Sequence, residues 1–425
     1  MVEKMKKIMI LILLANISLF AKEYSLNDLL NESVKNSAFS KQGQNYTEIS
    51  KKEISDIISN YYPQINFEGQ ATYQSDMFKI PLNIPNMTLP DLRKDQYNVW
   101  LNFTQMIWDG GLVSSKVDIS EISSKANIEN TNAKLRNIVE NTANLYFAGK
   151  KIEANMKSIS TVMNTLESNK NQVTSLVNNG VLKQSNLDAI NIQISAKEQT
   201  MESLKKDYES VLEKLKLLIA KNDLDKLGQI DIAVNSTDLK INRSESKAME
   251  YYQELNNVKS DINYSMLMPK INAFAKVGYS NPNQLNMFEQ DWSEYYMVGI
   301  RFSWKPFSWF SESKNAEIAK LQNENIELEK LEFEKQVNMQ LVQERSEMDK
   351  QKSIIQQDKL IIELQNNITK EKYSQFLNGT ATISEYINEI NSLQIYETNL
   401  SIHNISLENA KTNLLIKSGN YKGVE

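Results

Sequence analysis

Among 425 residues there is one histidine, His403, and no cysteine. A histidine–thiol pair and a site of several histidines are therefore impossible, and the lone imidazole, set in a polar helical stretch, reads as a surface residue. Serines are numerous, but no GxSxG elbow or SxxK pair occurs, and the carboxylates are spaced as on helix surfaces rather than around a pocket. No enzyme and no cofactor is expected. The residues whose types and spacing do specify a chemistry are apolar side chains at every second position. Ile65, Phe67, Ala71 and Tyr73 form one such row, Val99, Leu101 and Phe103 a second, Ile271, Val277 and Tyr279 a third, and Val298, Ile300 and Phe302 a fourth. Each run is about nine to eleven residues, the length that crosses a hydrocarbon core when tilted. Tyr61, Tyr62, Trp108, Trp292, Tyr295, Trp304 and Trp309 bracket the runs, where an interfacial aromatic girdle lies. The chemistry predicted is solvation by lipid on one face of each strand.

Four strands, at about 64–74, 96–105, 270–280 and 295–304, must carry these rows. A membrane sheet tolerates no open edge, so four strands span only if copies of the chain close one barrel together. The rest of the chain predicts long helices. With 12 Gly and 7 Pro there are too few turn residues for many compact loops, and all seven prolines fall in or beside the strand regions. That leaves 106–268 and 307–425 free of the strongest helix breaker. Lys and Arg number 48 against 53 Asp and Glu, for a formal charge of −5. Both signs are interspersed, and no basic stripe with interleaved aromatics supports nucleic-acid binding. Residues 1–21 place Lys4, Lys6 and Lys7 before an apolar run and Ala21 ahead of Lys22, the pattern of a secretory signal peptide. No later window approaches eighteen consecutive apolar residues, so no membrane-spanning helix is expected.

The chain is internally duplicated. PQINFEGQATY from Pro63 reappears as PKINAFAKVGY from Pro269, and Asn179-Gly180 with Ser185 reappears as Asn378-Gly379 with Ser384. The division expected is 22–230 and 231–425, each half a helix, two strands and a long helical hairpin with its tip near 180 or 379. Outgoing helices of about 112–178 and 311–377 are each on the order of 100 Å long. In the first hairpin Ile159, Met163, Leu166, Lys170 and Val173 set a heptad seam, answered by Leu187, Ile190, Ile194 and Lys197 on the return helix, hence an antiparallel coiled coil. The second hairpin is more polar along the same path.

The signal peptide, the duplicated halves, YYPQINFEGQATY, LNFTQMIWDGG and the tips NNGVLKQSNLDA and NGTATISEYINEI together resemble the TolC family of outer-membrane efflux channels. That resemblance covers essentially the whole mature chain. It implies a mainly α protein with a membrane β part: a homotrimer whose strands complete a 12-stranded barrel, continued by a helical periplasmic tunnel. It implies outer-membrane location, a periplasmic adaptor (membrane fusion) protein as partner, and an inner-membrane pump of the RND, ABC or MFS class. The function implied is a passive exit duct of tripartite efflux or type I secretion. Adaptor contacts would fall on Gly180, Val181 and Leu182 and on Gly379, Thr380 and Ala381. The tunnel constriction would fall on Glu385, Asn388, Glu389 and Asn186, with Ala381 and Asn186 standing where some members carry an arginine and its acidic partner. The competing reading is an exported coiled-coil structural or adhesive protein with a small soluble β head.

Overall fold

A computed structural model describes residues 22–77, 92–232 and 239–421. The predicted signal peptide at 1–21 lies outside the described residues. In chain order the elements are β1 (Glu23–Tyr24), α1 (Leu26–Lys35), α2 (Ala38–Ser59), β2 (Gln64–Tyr73), β3 (Asp95–Trp108), α3 (Leu112–Asn178), α4 (Gln184–Ile219), β4 (Lys226–Leu227), α5 (Ser244–Ser265), β5 (Lys270–Asn281), β6 (Ser293–Ser303), α6 (Ser311–Leu377) and α7 (Ile383–Ser418). The single helix expected at the start of the first half is broken at Asn36 and Ser37. Asn36 caps α1, its amide N–H and side-chain amide both donating to the carbonyl of Glu32.

Contacts divide the chain into two compact units, one of residues 1–43, 130–246 and 332–425, the other of residues 44–129 and 247–331. The second unit holds the sheet, ordered β2-β3-β5-β6 and antiparallel throughout. Ile65 pairs with Phe103, Phe67 with Leu101, Val99 with Tyr279, Leu101 with Val277, Ile271 with Phe302 and Val277 with Tyr296. Directly paired residues point the same way, so the four apolar rows merge into one face. A bulge between Met106 and Trp108 carries β3 three residues beyond the predicted end. The strand then stops at Asp109, whose buried carboxylate receives the N–H of Gly111 at 2.9 Å, the N–H of Val113 at 2.6 Å and the Tyr61 hydroxyl at 3.0 Å. Three donors converge on the first turn of α3, where a carboxylate is favoured. Gly110, at φ 77°, lies so close to Ser265 O and Met268 that a Cβ would stand 2.6–2.7 Å from them. The WDGG segment is thus the strand-to-helix corner.

In the first unit one core gathers Leu26, Leu29 and Leu30 of α1, Val139, Ala143, Tyr146 and Phe147 of α3, Leu212, Leu215 and Ile219 of α4, and Leu224, Leu227 and Ile416. Burial corrects the seam of α3. Ile159, Val162, Leu166, Asn169 and Val173 are the buried positions, so the stripe runs one residue ahead of Met163 and Lys170. Asn169 takes the place of an apolar knob because its side-chain amide donates to the Tyr386 hydroxyl at 3.3 Å. The more polar second hairpin also has a seam. Val337, Leu341, Glu344, Met348, Gln351, Ile355, Asp358 and Gln365 are all buried on α6, with the polar members recurring every seventh residue.

Candidate functional site

The sheet presents two chemically distinct surfaces. On the apolar one Phe67 is 73%, Val298 71% and Ile300 72% exposed, and Ile65, Tyr73, Val99, Leu101, Val277, Tyr279 and Phe302 are also exposed. Ala71 is exposed with them, and Phe103 and Ile271 are the half-buried members of the predicted set. On the other surface Tyr295 is buried and donates its hydroxyl to Asn98 Oδ1 at 2.8 Å, Lys276 lies over Trp100 and Tyr295, and farther along the strands Arg301 lies over Phe274. Trp292 stacks on Tyr279 at 5.3 Å between ring centroids and reaches Tyr97 at 6.0 Å, closing the β5–β6 end of the sheet with aromatics. Both outer strands, β2 and β6, keep one unpaired edge among the described residues. No described helix is long and apolar enough to cross a membrane.

The hairpin tips are the second candidate surface, and they close by the same backbone bonds. Gly180 N–H donates to Val177 O at 2.9 Å, while Val181 and Leu182 N–H donate to Leu176 O at 2.9 and 3.2 Å. In the second hairpin Gly379 N–H donates to Phe376 O at 3.0 Å, while Thr380 and Ala381 N–H donate to Gln375 O at 2.9 and 3.2 Å. Each tip glycine sits at φ 74°, a left-handed geometry that ends a helix and penalises any Cβ. A Cβ on either would meet nothing within 4 Å, so conformation rather than crowding selects glycine. Val181, Gly180, Gly379 and Thr380 are exposed. Leu182 instead packs against the tip core and Ala381 is half-buried, so these two support the turn more than they project from it.

That core draws on both hairpins: Val162, Leu166, Val173, Ile190 and Ile194 with Phe376, Ile383, Tyr386, Ile387 and Ile390. Tyr373 packs on Tyr386 at 5.0 Å and donates its hydroxyl to Gln172 Oε1. Higher up, Lys197 Nζ donates to Gln394 Oε1 at 2.6 Å, and burial holds its ammonium below the usual lysine value. Lys197 of the return helix is therefore a cross-hairpin tie.

Of the predicted constriction residues, Glu385 has a local role. Thr382 Oγ1 accepts the Glu385 N–H and Glu385 Oε2 accepts the Thr382 N–H, both at 3.3 Å, a reciprocal cap on α7. The signal was present in the sequence as Thr-Ile-Ser-Glu ahead of an apolar run. Lys372 Nζ approaches the same oxygen at 3.8 Å, and the side chain remains about half exposed. Glu389 accepts from Gln365 Nε2 at 2.6 Å, Asn388 is exposed, and Asn186 is half-buried with its N–H on Lys183 O. His403 is not a free surface residue: its Nδ1 lies 2.6 Å from the buried Asp358 carboxylate. No group of three metal-ligating side chains occurs among the described residues.

Residues 54–221 match the model of the outer membrane efflux protein family. No curated protein matches the chain. Among solved structures, CusC, from work on folding and transmembrane channel formation, shares 14% identity over 95% of this chain and 94% of its own, with a TM-score of 0.70. The outer membrane protein VceC of Vibrio cholerae shares 13% identity over 93% of this chain and 96% of its own, at 0.69. The CmeC outer membrane channel of Campylobacter jejuni shares 14% over 93% of this chain and 85% of its own, at 0.63. At such identity these likenesses establish the fold.

Proposed function

We propose that the chain, recognisable over residues 54–221 as an outer membrane efflux protein of the TolC kind, is the passive exit duct of a tripartite efflux or type I secretion system. The observation that carries this reading is the exposed apolar face spread continuously over four strands whose outer edges are unpaired. In water such a face is a liability far larger than single exposed leucines. In lipid it is the required surface, and the open edges demand further strands. Three copies, each pairing β6 with the next copy's β2, give twelve strands. The soluble β head of a coiled-coil adhesin leaves both features unexplained.

On this reading the mature chain is two repeats, 22–230 and 231–425, held in the bacterial outer membrane with the hairpins in the periplasm. The exposed tips at Gly180–Val181 and Gly379–Thr380 are the surfaces offered to a periplasmic adaptor, and an inner-membrane pump of the RND, ABC or MFS class supplies the energy. Three copies of Glu385, with Glu389, Asn388 and Asn186 nearby, form a negative constriction. The exposed oxygen of a capping carboxylate can serve both the helix and a passing cation. The test is the mass of the detergent-extracted particle from fractionated envelopes: a trimer from the outer membrane is expected, and a soluble monomer refutes the duct. Glu385→Ala should then reduce divalent-cation block in single-channel recordings, and an unchanged block removes Glu385 from the constriction.

A further inference from the structure

Three cations, Lys270, Lys276 and Arg301, project from the polar face of the sheet, against one carboxylate, Glu68, on its strand positions. Two of them are seated in the same unusual way. Lys276 Nζ stands 4.1 Å from the centre of the Trp100 ring and 5.6 Å from that of Tyr295. Arg301 lies over Phe274 at 5.3 Å. Each arrangement rests on a glycine. A Cβ on Gly278 would fall 2.5 Å from the Tyr295 ring, and one on Gly299 would fall 2.9 Å from the Phe274 ring. The rings therefore lie flat on bare backbone, and the cations lie on the rings. The Tyr295 hydroxyl is tied to Asn98 at 2.8 Å, which fixes that stack against β3.

On the helices lysines are typically neutralised by a carboxylate one turn away, as in Lys51 with Glu48 and Lys206 with Glu209. Among the described residues neither Lys276 nor Arg301 is paired with a carboxylate. An aromatic face holds a cation without cancelling its charge, because the ring contributes a quadrupole and not an opposite charge. The stacks thus fix the direction of two positive charges while leaving them available to a third party. Arg301 pairs with Asn272, four residues from Lys276 on β5, which separates the two charges by about 13 Å along the strand.

We infer that this face is a cation-lined wall that favours passage of anionic solutes, those bearing carboxylate or phosphate groups, through the strand section of the duct. The inference rests on the duct reading, which turns the polar face toward the lumen. A barrel of twelve strands at the usual spacing and tilt has a radius of about 12 Å. That is close to the Debye length of about 8–10 Å at ordinary ionic strength, so the wall potential reaches the lumen centre only partly there and fully in dilute salt.

The absence of cysteine makes the potential directly readable. Asn102 pairs with Lys276 on the same face, so Asn102→Cys is a reporter beside the charge. Its rate of modification by an anionic sulfonatoethyl methanethiosulfonate is compared with that by the cationic trimethylammonioethyl reagent, in purified channels in vesicles at about 10 mM salt. Each rate is normalised to free cysteine. The reagents differ by two charges, so a local potential of about 1 kT separates the rates by roughly sevenfold. The anionic reagent should be favoured in the parent, Lys276→Gln with Arg301→Gln should lower the ratio severalfold, and Lys276→Arg should retain it. A ratio that ignores both neutral substitutions overturns the inference and leaves the duct standing. If Asn102→Cys reacts with neither reagent in vesicles, the face is not a lumen and both readings fail.

Discussion

The polar seam of the second hairpin makes a quantitative prediction at Glu344 and Lys417. Their charged atoms are 2.8 Å apart, with side-chain exposures of 10% for Glu344 and 19% for Lys417. Breaking a fully buried pair costs about 3–5 kcal/mol, mostly because one charge is left without a partner. Here partial exposure lowers that figure. Lys417→Met strands the less exposed member and removes a cation from the last turn of α7, for a loss of about 2–3 kcal/mol. Glu344→Leu strands a lysine whose long stem can carry the ammonium to water, for about 1–2 kcal/mol. The double substitution strands nothing and adds apolar contact to a seam already built from Leu341, Met348 and Leu414. It should lie within about 1 kcal/mol of the parent, so the singles and the double differ by a coupling of at least about 2 kcal/mol. The assay is loss of 222 nm ellipticity on heating the full-length protein in detergent at one scan rate. For a unit of this size each kcal/mol moves Tm by about 2–4 °C, which places Lys417→Met roughly 4–12 °C below the parent and the double variant near it. A double variant that falls by the sum of the singles would refute the picture of a self-contained pair in an otherwise apolar seam.

Gly180→Ala and Gly379→Ala should each cost about 1 kcal/mol through the left-handed backbone alone, seen as faster amide exchange at Val181 and Thr380; equal rates would mean the tip accommodates another turn. Thr382→Ala should lower protection of the first turn of α7 by a similar amount, since it removes one half of the reciprocal cap, while Thr382→Ser should not. Gly278→Ala should reduce the yield of assembled particle, because its Cβ would stand 2.5 Å from the Tyr295 ring, and the pairing of Gly278→Ala with Tyr295→Ala should recover part of it. Burial, with smaller contributions from Glu153 and Asp231, raises the Tyr146 hydroxyl above the ordinary tyrosine value of 10.0. The folded state therefore holds that proton more tightly than the unfolded state. Its contribution is whole below pH 10 and is lost as pH rises beyond it, so Tm of the helical signal should drop above pH 10 and drop less in Tyr146→Phe.

Periodicity made the elements readable where a single signal dominated. Alternation located the four strands, and the absence of proline located α3 and α6, because both are local properties of the chain. The corner at Asp109 was visible only as the motif WDGG; its function as a three-donor acceptor depends on Tyr61, brought in from a different element. The break at Asn36 and Ser37 carries no proline or glycine and was not legible for that reason. The α3 seam was misread by one residue because Met163 and Val162 are both apolar, and only the partner helix decides which is inward. Tertiary pairing similarly turned His403 from an isolated imidazole into the partner of Asp358. The aromatic stacks on Gly278 and Gly299 were hidden most completely. They require the register of β5 on β6, which sets Gly278 opposite Tyr295 and Phe274 opposite Gly299, while the seating of Lys276 on Trp100 requires β3 to meet β5 across more than 160 residues of sequence.

The two hairpins close alike and hold differently. Their tips repeat the same capping bonds residue for residue, so the duplication preserved a backbone geometry rather than side chains: Leu176 became Gln375 and Val181 became Thr380 without altering a single turn bond. The seams diverged. Val162, Leu166 and Val173 bury hydrocarbon, a contact that tolerates small sliding because dispersion and hydrophobic terms vary smoothly with position. On α6 the buried Glu344, Asp358 and Gln365 meet Lys417, His403 and Glu389, each at 2.6–2.8 Å. A hydrogen bond weakens steeply with displacement, and a buried polar group that loses its partner costs about 1–3 kcal/mol. Sliding α7 along α6 by one turn would strand all three at once. The polar ladder therefore contributes less net stability than an apolar seam of equal length, yet defines its register more sharply. Of the two hairpins, the second has few intermediate positions: it is either in register or released.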